Sequence, residues 1–374
     1  MMTRKHLILL LLCWGWWGIA LAQNDSTDVE EEPMEEELPP DMDFSAFGGD
    51  MEAASMDGIK SFCSSKILGI TPSKLVSIGY DFQTPYTLTT NDGQPNENDV
   101  DINATHGVRF AALFPVISKN NIIVSLGARY MESQYVFDDE SQVEGDPLGQ
   151  SLQRSGALRN IGVDLTIFKP LNDRHFLLYV GNHDLNGDYW LDELQPLRYM
   201  KHSIAGVFGW RTSDRRQIGV GISRTYRVGE LNYIPILLYN FTARNEKWGI
   251  EAIFPARAHY RRNFSSRSLL KIGYELEGNS YRLQNRRGQF RDAEGEPLDD
   301  VELRRSELRF QAIYERSLSG FIWISVQAGY RYNWSYNVDD GEFFRGFFGD
   351  QDYVAENILT NPLYFNVSLN LVSP

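Results

Sequence analysis

The chain has 374 residues, with 50 Asp plus Glu against 36 Lys plus Arg and a formal net charge of -14 at pH 7. Two cysteines exclude a disulfide-dense scaffold, and the acidic balance offers no basic surface for nucleic acid. A mean hydropathy of -0.36 reads as soluble, but the same average hides a membrane wall whose strands alternate apolar and polar faces.

Arg4 and Lys5 precede an apolar run at 7–19, and Ala20-Leu21-Ala22 follows with the small-x-small pattern cut by a signal peptidase. The run is shorter than the ~20 residues of a membrane helix, so residues 1–22 are expected to be a cleaved export signal rather than a retained anchor. Residues 23–57 hold thirteen Asp plus Glu and no Lys or Arg. Like charges at that density repel one another, so 23–65 is expected to be a disordered acidic tether. Subtracting those thirteen acids and the two leader cations leaves 37 acids against 34 bases in the body. Cys13 leaves with the signal and Cys63 stands alone, which excludes an intramolecular disulfide and a cysteine-based metal set. Beyond residue 22 the apolar runs are too short for a helical membrane span.

From 73 onward the chain alternates with a period of two, the pattern of strands with unlike faces. In 73–82 the register puts Lys74, Val76, Ile78, Tyr80 and Phe82 on one face. In 101–114, Ile102, Ala104, Val108, Phe110, Ala112 and Phe114 oppose Asn103, Thr105 and Arg109. In 122–137, Leu126 and Ala128 oppose Ser125, Gly127 and Arg129, and in 160–168 Ile161, Val163 and Leu165 oppose Asn160, Asp164 and Thr166. Segments 175–183, 202–211 and 217–227 continue the series. The clearest pair is 305–334, where Leu308, Phe310 and Tyr314 oppose Glu307, Arg309 and Glu315. After Ser317-Leu318-Ser319-Gly320, Ile324, Val326 and Tyr330 then oppose Ser325, Gln327 and Arg331. The last strand, 362–372, sets Leu363, Phe365, Val367, Leu369 and Leu371 toward lipid. Each arm exceeds the ~9–11 tilted residues that cross a bilayer.

The connections alternate in length. Those at 118–121, 172–175, 212–216, 243–247 and 317–320 are short, whereas 83–100, 138–157, 184–197, 284–302 and 337–360 are long and polar. Outer-membrane barrels pair short periplasmic turns with long outer loops. An even number of strands must separate 243–247 from 317–320, so 247–316 needs a further fold-back, at Pro255 or at Gly278-Asn279. The expected fold is all-β: a transmembrane antiparallel up-and-down barrel over 66–374 with about 14 strands, or 12 if a weak segment leaves the wall.

The block 232–282 (NYIPILLYNFTARNEKWGIEAIFPARAHYRRNFSSRSLLKIGYELEGNSYR) resembles a family of outer-membrane β-barrels from Gram-negative Bacteroidota that has no assigned activity. The shared features are Tyr-x-Pro before a strand, a Trp opening the next, a Phe-Pro, and Gly-Tyr ahead of Glu-Gly-Asn-Ser-Tyr. The similarity covers about residue 66 to the C-terminus. It implies the fold and the cell outer membrane as location, and carries no chemistry.

For chemistry, His202-Ser203 invites comparison with lipid hydrolases of barrel walls, but adjacent strand residues point to opposite faces and cannot act as base and nucleophile. Neither G-x-S-x-G nor H-E-x-x-H occurs. Asp184, Asn186 and Asp188 have calcium-loop spacing, yet Gln195 stands where a bidentate Glu would close such a loop, so a solvated acidic loop is expected and no metal or cofactor is assigned. The informative set is the lumen face: Arg109, Arg129, Asp164, Glu251, Lys271, Glu275, Glu307, Arg309, Glu315 and Arg331. Mixed charges there argue against an apolar conduit and for a paired plug or narrow path. The expectation is a non-enzymatic barrel, either a passive pore or a structural and surface-binding element. A transporter of small or hydrophobic solutes and a lipid-modifying barrel enzyme are the alternatives. Its expected partners are outer-membrane lipid, lipopolysaccharide and the barrel-assembly machinery, and it is expected to be a monomer.

Overall fold

The computed structural model describes residues 63–91, 98–192, 196–226, 233–292, 295–340 and 353–373. The expected export signal and nearly all of the expected tether lie outside them. The described chain forms strands β1 (Lys74–Gln83), β2 (Tyr86–Asn91), β3 (Asn98–Lys119), β4 (Ile122–Phe137), β5 (Ala157–Pro170), β6 (His175–Gly187), β7 (Met200–Ser213) and β8 (Arg216–Arg224). It continues with β9 (Tyr233–Thr242), β10 (Trp248–Phe254), β11 (Arg257–Ser265), β12 (Ser268–Gln284), β13 (Asp300–Ser319), β14 (Ile322–Asp339), β15 (Glu356–Leu359) and β16 (Leu363–Val372). Helix α1 (Pro147–Ser155) lies between β4 and β5.

Consecutive strands pair antiparallel, and β1 joins both β3 and β16, which closes the ring. Two wall strands are interrupted by proline. β1 and β2 share one register against β3, with Gln83↔Thr105 followed by Tyr86↔Ile102. β15 and β16 share one register against them, with Leu88↔Leu359 and Gln83↔Tyr364. Pro85 and Pro362 offer no N–H at the breaks. Threonine hydroxyls bridge the gap reciprocally: Leu363 N donates to Thr84 Oγ1 at 3.1 Å and Thr87 N to Thr360 Oγ1 at 2.8 Å. The sixteen segments therefore make a closed antiparallel barrel of 14 strands.

A belt of exposed apolar side chains rings the outside: Ile78 and Tyr80 on β1, Val163 on β5, Phe208 on β7, Ile272 on β12, Phe310 on β13, and Leu363 to Leu371 at alternate positions of β16. Water would not tolerate so wide an apolar surface, and a closed barrel leaves no backbone unpaired in lipid. The protein is an outer-membrane β-barrel.

The fold-back falls at Pro255: β10 and β11 form a tight hairpin with Ile253↔Arg257, and the Phe254–Pro255 bond is cis. Gly278-Asn279, the other expected place, lies inside β12 and pairs with Ser306 and Arg305. Two expected faces are corrected by bulges. A shift between Lys74 and Val76 turns Lys74 into the lumen, and one between Ile102 and Ala104 turns Ile102 inward. The expected loops 83–100 and 184–197 are partly strand, and Asp184 and Asn186 are fully buried in β6 rather than solvated.

Wall height varies. β12, β13 and β14 have 17, 20 and 18 residues, whereas β8, β9, β10 and β11 have 9, 10, 7 and 9. Above the low side β12 leans across and meets β6 in parallel at Arg282↔Gly187. Gly187 is required there, because a Cβ would lie 2.4 Å from the Tyr199 ring. Within the outer end sits an apolar core of Leu88, Val100, Ile102, Tyr281, Leu283, Val301, Leu303, Tyr336 and Val338. Leu148 and Leu152, one turn apart on α1, pack into the same core, each such burial stabilising by about 1.5–3 kcal/mol. Asp146 caps α1 by accepting from Leu148 N at 3.2 Å and Gly149 N at 2.9 Å, and Pro147 supplies a first-turn φ without an orphan donor.

Candidate functional site

Among the described residues four groups of ions line the lumen within the wall, and further pairs gather around Asp300 and Glu302 toward the outer end. In the largest, the register sets Glu277↔Glu307 and Arg309↔Arg331 on neighbouring strands, so like charges face each other and need carboxylates between the cations. Glu307 supplies one. It accepts from Arg309 at 2.6 Å and Arg305 at 3.4 Å, and it also pairs with Arg331. Glu277 takes Arg309 at 2.5 Å and Arg109 at 3.7 Å, and Arg109 reaches Asp81 at 2.9 Å. The group thus runs from β1 and β3 through β12 and β13 to β14. Charges this buried persist only when paired, and stripping one partner costs about 3–5 kcal/mol.

On β4, Arg129 bridges Asp164 of β5 at 2.7 Å and Asp184 of β6 at 2.9 Å. Gly162 makes room, since a Cβ there would lie 2.0 Å from Asp184 Oδ1. Asn182 donates to Asp164 at 2.6 Å, and the Tyr226 hydroxyl donates to Asp184. Toward the periplasmic turns Glu315 takes Lys74 at 2.7 Å, Lys271 at 3.3 Å and the Ser325 hydroxyl at 3.0 Å. Glu251 pairs with Arg261 at 3.0 Å, and Glu275 accepts from Gln311 Nε2 at 3.2 Å.

All ten residues assigned from sequence to the lumen face therefore point inward: Arg109, Glu307, Arg309 and Arg331 join one group, Arg129 and Asp164 a second, Lys271 and Glu315 a third. Glu251 belongs to the fourth and Glu275 hydrogen-bonds beside the first. Asp81, Glu277, Arg305, Lys74, Arg261 and Asp184 complete the groups without having been assigned to the lumen face. Glu277 shares the period-two register of Lys271 and Glu275, and Asp81 alternates with the lipid-facing Ile78 and Tyr80, so alternation alone could have found both. Lys74 could not be found that way, because a bulge reverses its face.

The other side of the lumen is apolar. Phe168, Phe176, Val207 and Leu238 are buried together inside β5, β6, β7 and β9, with Ile123, Leu178, Ile236 and Ile253 half-buried against them. The mixed charges therefore describe only part of the interior, and the argument from them against an apolar conduit does not cover this side. This patch is capped by a strap, residues 63–72, that passes beneath the periplasmic turns. Cys63 N bonds Asn172 O at 2.9 Å, Leu68 N bonds Asp214 O at 2.9 Å, and Thr71 gives its N and hydroxyl to Glu251 at 3.1 and 2.7 Å. Cys63 packs into the apolar patch, and burial pushes its thiol pKa up.

His202 is exposed on the outer face, with His183 Nδ1 2.6 Å from its own Nδ1, while Ser203 is buried on the lumen side. The two cannot cooperate. Among the described residues no group of three or more His, Cys, Asp or Glu could hold a metal. At the seam, Asp188 Oδ2 accepts from Gln284 N at 3.1 Å, and burial pushes its carboxyl up to about 6.

No family model and no curated protein matches the chain. Solved structures similar to it include an outer membrane channel from Pseudomonas putida F1, with 8% identity over 86% of this chain and 100% of that one at a TM-score of 0.38. The P. putida toluene transporter TodX has 9% identity over 82% of this chain and 92% of its own at 0.30. The outer membrane protease OmpT from Escherichia coli has 10% identity over 82% and 100% at 0.27. Likeness at this level says nothing of the lumen, and the fold rests on the chain's own strand pairing.

Proposed function

We propose that the barrel is a non-enzymatic outer-membrane protein whose lumen is shut at rest, a narrow or plugged element rather than an open porin. The observation that carries this reading is Glu307, which is fully buried and takes guanidinium groups from Arg305, Arg309 and Arg331 in the path an ion would follow. A water-filled channel would leave such groups hydrated and separate, whereas here Glu307 and Glu277 each bridge more than one guanidinium group. The apolar core at the outer end supports the same reading. Purified protein in planar bilayers should conduct weakly, and Arg309→Ala should raise the leak by freeing Glu277 and Glu307. Large, stable native conductance steps that Arg309→Ala leaves unchanged would overturn the proposal.

A second reading, transport of small, partly apolar solutes, is favoured by the apolar patch beneath the strap. The resemblance of 232–282 to Bacteroidota barrels adds location to either reading and no activity. The apolar belt suits outer-membrane lipid and lipopolysaccharide as partners of a monomer inserted by the barrel-assembly machinery.

A further inference from the structure

Five strands carry a basic residue on the lipid-facing register close to their periplasmic turn: Lys119 on β3, Lys169 on β5, Arg216 on β8, Arg262 on β11 and Arg316 on β13. Strand register places each on the outer face. Lys169 lies opposite the exposed Leu177, and Arg216 stands over the Tyr239 ring. Lys119, Arg262 and Arg316 continue the alternation of the exposed Ile117, Tyr260 and Tyr314. Among the described residues no Asp or Glu shares this level of the outer face. The acids of the nearby turns, Asp173, Asp214 and Glu246, meet Arg174, Arg211 and Arg215 instead. The opposite end differs, with Asp99 and Asp101 exposed on the outer face of β3.

Aromatic rings sit among these cations. Phe241 on β9 and Trp248 on β10 lie between Arg216 and Arg262, with Arg216↔Phe241 and Trp248↔Arg262 paired and the two rings 5.5 Å apart. Such rings mark the headgroup level of a bilayer. A Lys or Arg at that level lays its stem along the apolar wall and turns its charge to the phosphate layer. A zwitterionic headgroup brings its own cation and cancels much of the attraction, whereas an anionic one keeps it. The five side chains face outward around the wall, which favours lipid over the acidic residues 23–57 as their partner. We infer that this girdle is a binding surface for anionic phospholipid of the periplasmic leaflet, with phosphatidylglycerol as the form that fits. Occupancy of the girdle is independent of whether the lumen is shut, and it names a headgroup and a leaflet where the apolar belt names only lipid.

The test is tryptophan quenching by chain-brominated phosphatidylglycerol or phosphatidylcholine in mixed vesicles holding the purified full chain, with Trp248 as the reporter beside Arg262. Phosphatidylglycerol should associate about fivefold more strongly than phosphatidylcholine at low salt. The preference should fall toward one in about 1 M salt, where charge attraction reaches only ~3 Å. Arg216→Gln combined with Arg262→Gln should lose most of the preference. Arg174→Gln combined with Arg244→Gln removes equal charge from the turns and should keep it within about twofold. A heat-shifted band on an unboiled gel reports whether each variant is folded, and if the first pair does not fold, the salt series on the native protein decides. No preference in the native full chain, as expected if residues 23–57 covered the girdle, would overturn the assignment. So would a preference indifferent to salt, one retained by the folded Arg216 and Arg262 variant, or one lost equally in the turn variant. Lipid preference is read without conductance, so its failure leaves the shut-lumen reading standing.

Discussion

Strands β12 to β14 rise well past the lipid belt, while β8 to β11 stop near its upper edge, and β10 has only 7 residues against the ~9–11 that cross a bilayer. The two sides fill the lumen differently. Beneath the tall strands the interior is ionic, with partners on neighbouring strands, as Arg309 and Glu277, and across several strands, as Lys74 and Glu315. Beneath the short strands it is mixed: Leu238 and Ile253 join an apolar patch shared with β5 to β7 and closed by Cys63 of the strap, beside the Glu251–Arg261 pair. A tall strand has a second, outer storey to pack, and the apolar core around Leu303 and Tyr281 occupies it, which fixes the ionic storey below. Among the described residues the short side has no such storey, and β12 crosses above it to β6. The difference predicts that ionic lesions act through charge stranding and short-side lesions through loosened packing.

The sharpest way to break the contrast is Glu307→Ala. It leaves Arg305, Arg309 and Arg331 without their shared carboxylate and should cost about 3–5 kcal/mol, measured as a lower urea midpoint for unfolding from lipid vesicles. An unchanged midpoint would mean that the guanidinium groups are hydrated and the lumen is wet.

Next is the wall itself. Val163 is 54% exposed on the lipid face, so Val163→Arg should cost about 2–4 kcal/mol near the midplane. Thr166→Arg, turned inward on the same strand, should be milder. Equal assembly of both variants would place the lipid face on the wrong residues.

The seam over the short side sharpens the comparison through pH. Asp188 has a folded-state pKa of about 6, above its ordinary 3.8, so the folded protein holds a proton that the unfolded chain has released. The contribution to stability is full below about pH 4, falls as pH rises toward 6, and is flat above. At neutral pH the loss is about 2–3 kcal/mol, and Asp188→Asn should abolish the dependence in unfolding midpoints taken from pH 4 to 8.

The smallest effect is expected at the strap. Cys63→Ala removes one buried sulfur from the apolar patch and should cost about 1 kcal/mol. The native thiol should react slowly with maleimide, being buried and held in the neutral form. Rapid labelling of folded protein would mean that the strap does not seal the periplasmic mouth.

Much of this was legible in the chain. Alternation at Leu363, Phe365, Val367, Leu369 and Leu371 identified the lipid face because a pleated strand in a closed barrel has one side in hydrocarbon and the other in the lumen. Short turns alternating with long connections, together with parity, narrowed the strand number to about 14 or 12, and closure of the ring settled it at 14. Inward charges such as Glu307 and Arg309 followed from the same period. Tertiary structure decided what alternation cannot carry. Bulges at Leu75 and Asn103 reversed the faces of Lys74 and Ile102, because one inserted residue flips every side chain beyond it. Above the belt both faces of β13 are buried, so residues 300–306 lose the contrast that alternation needs. Which carboxylate meets which guanidinium, and that Phe176 and Leu238 share one apolar patch under Cys63, depends on strands far apart in sequence brought side by side by closure of the ring.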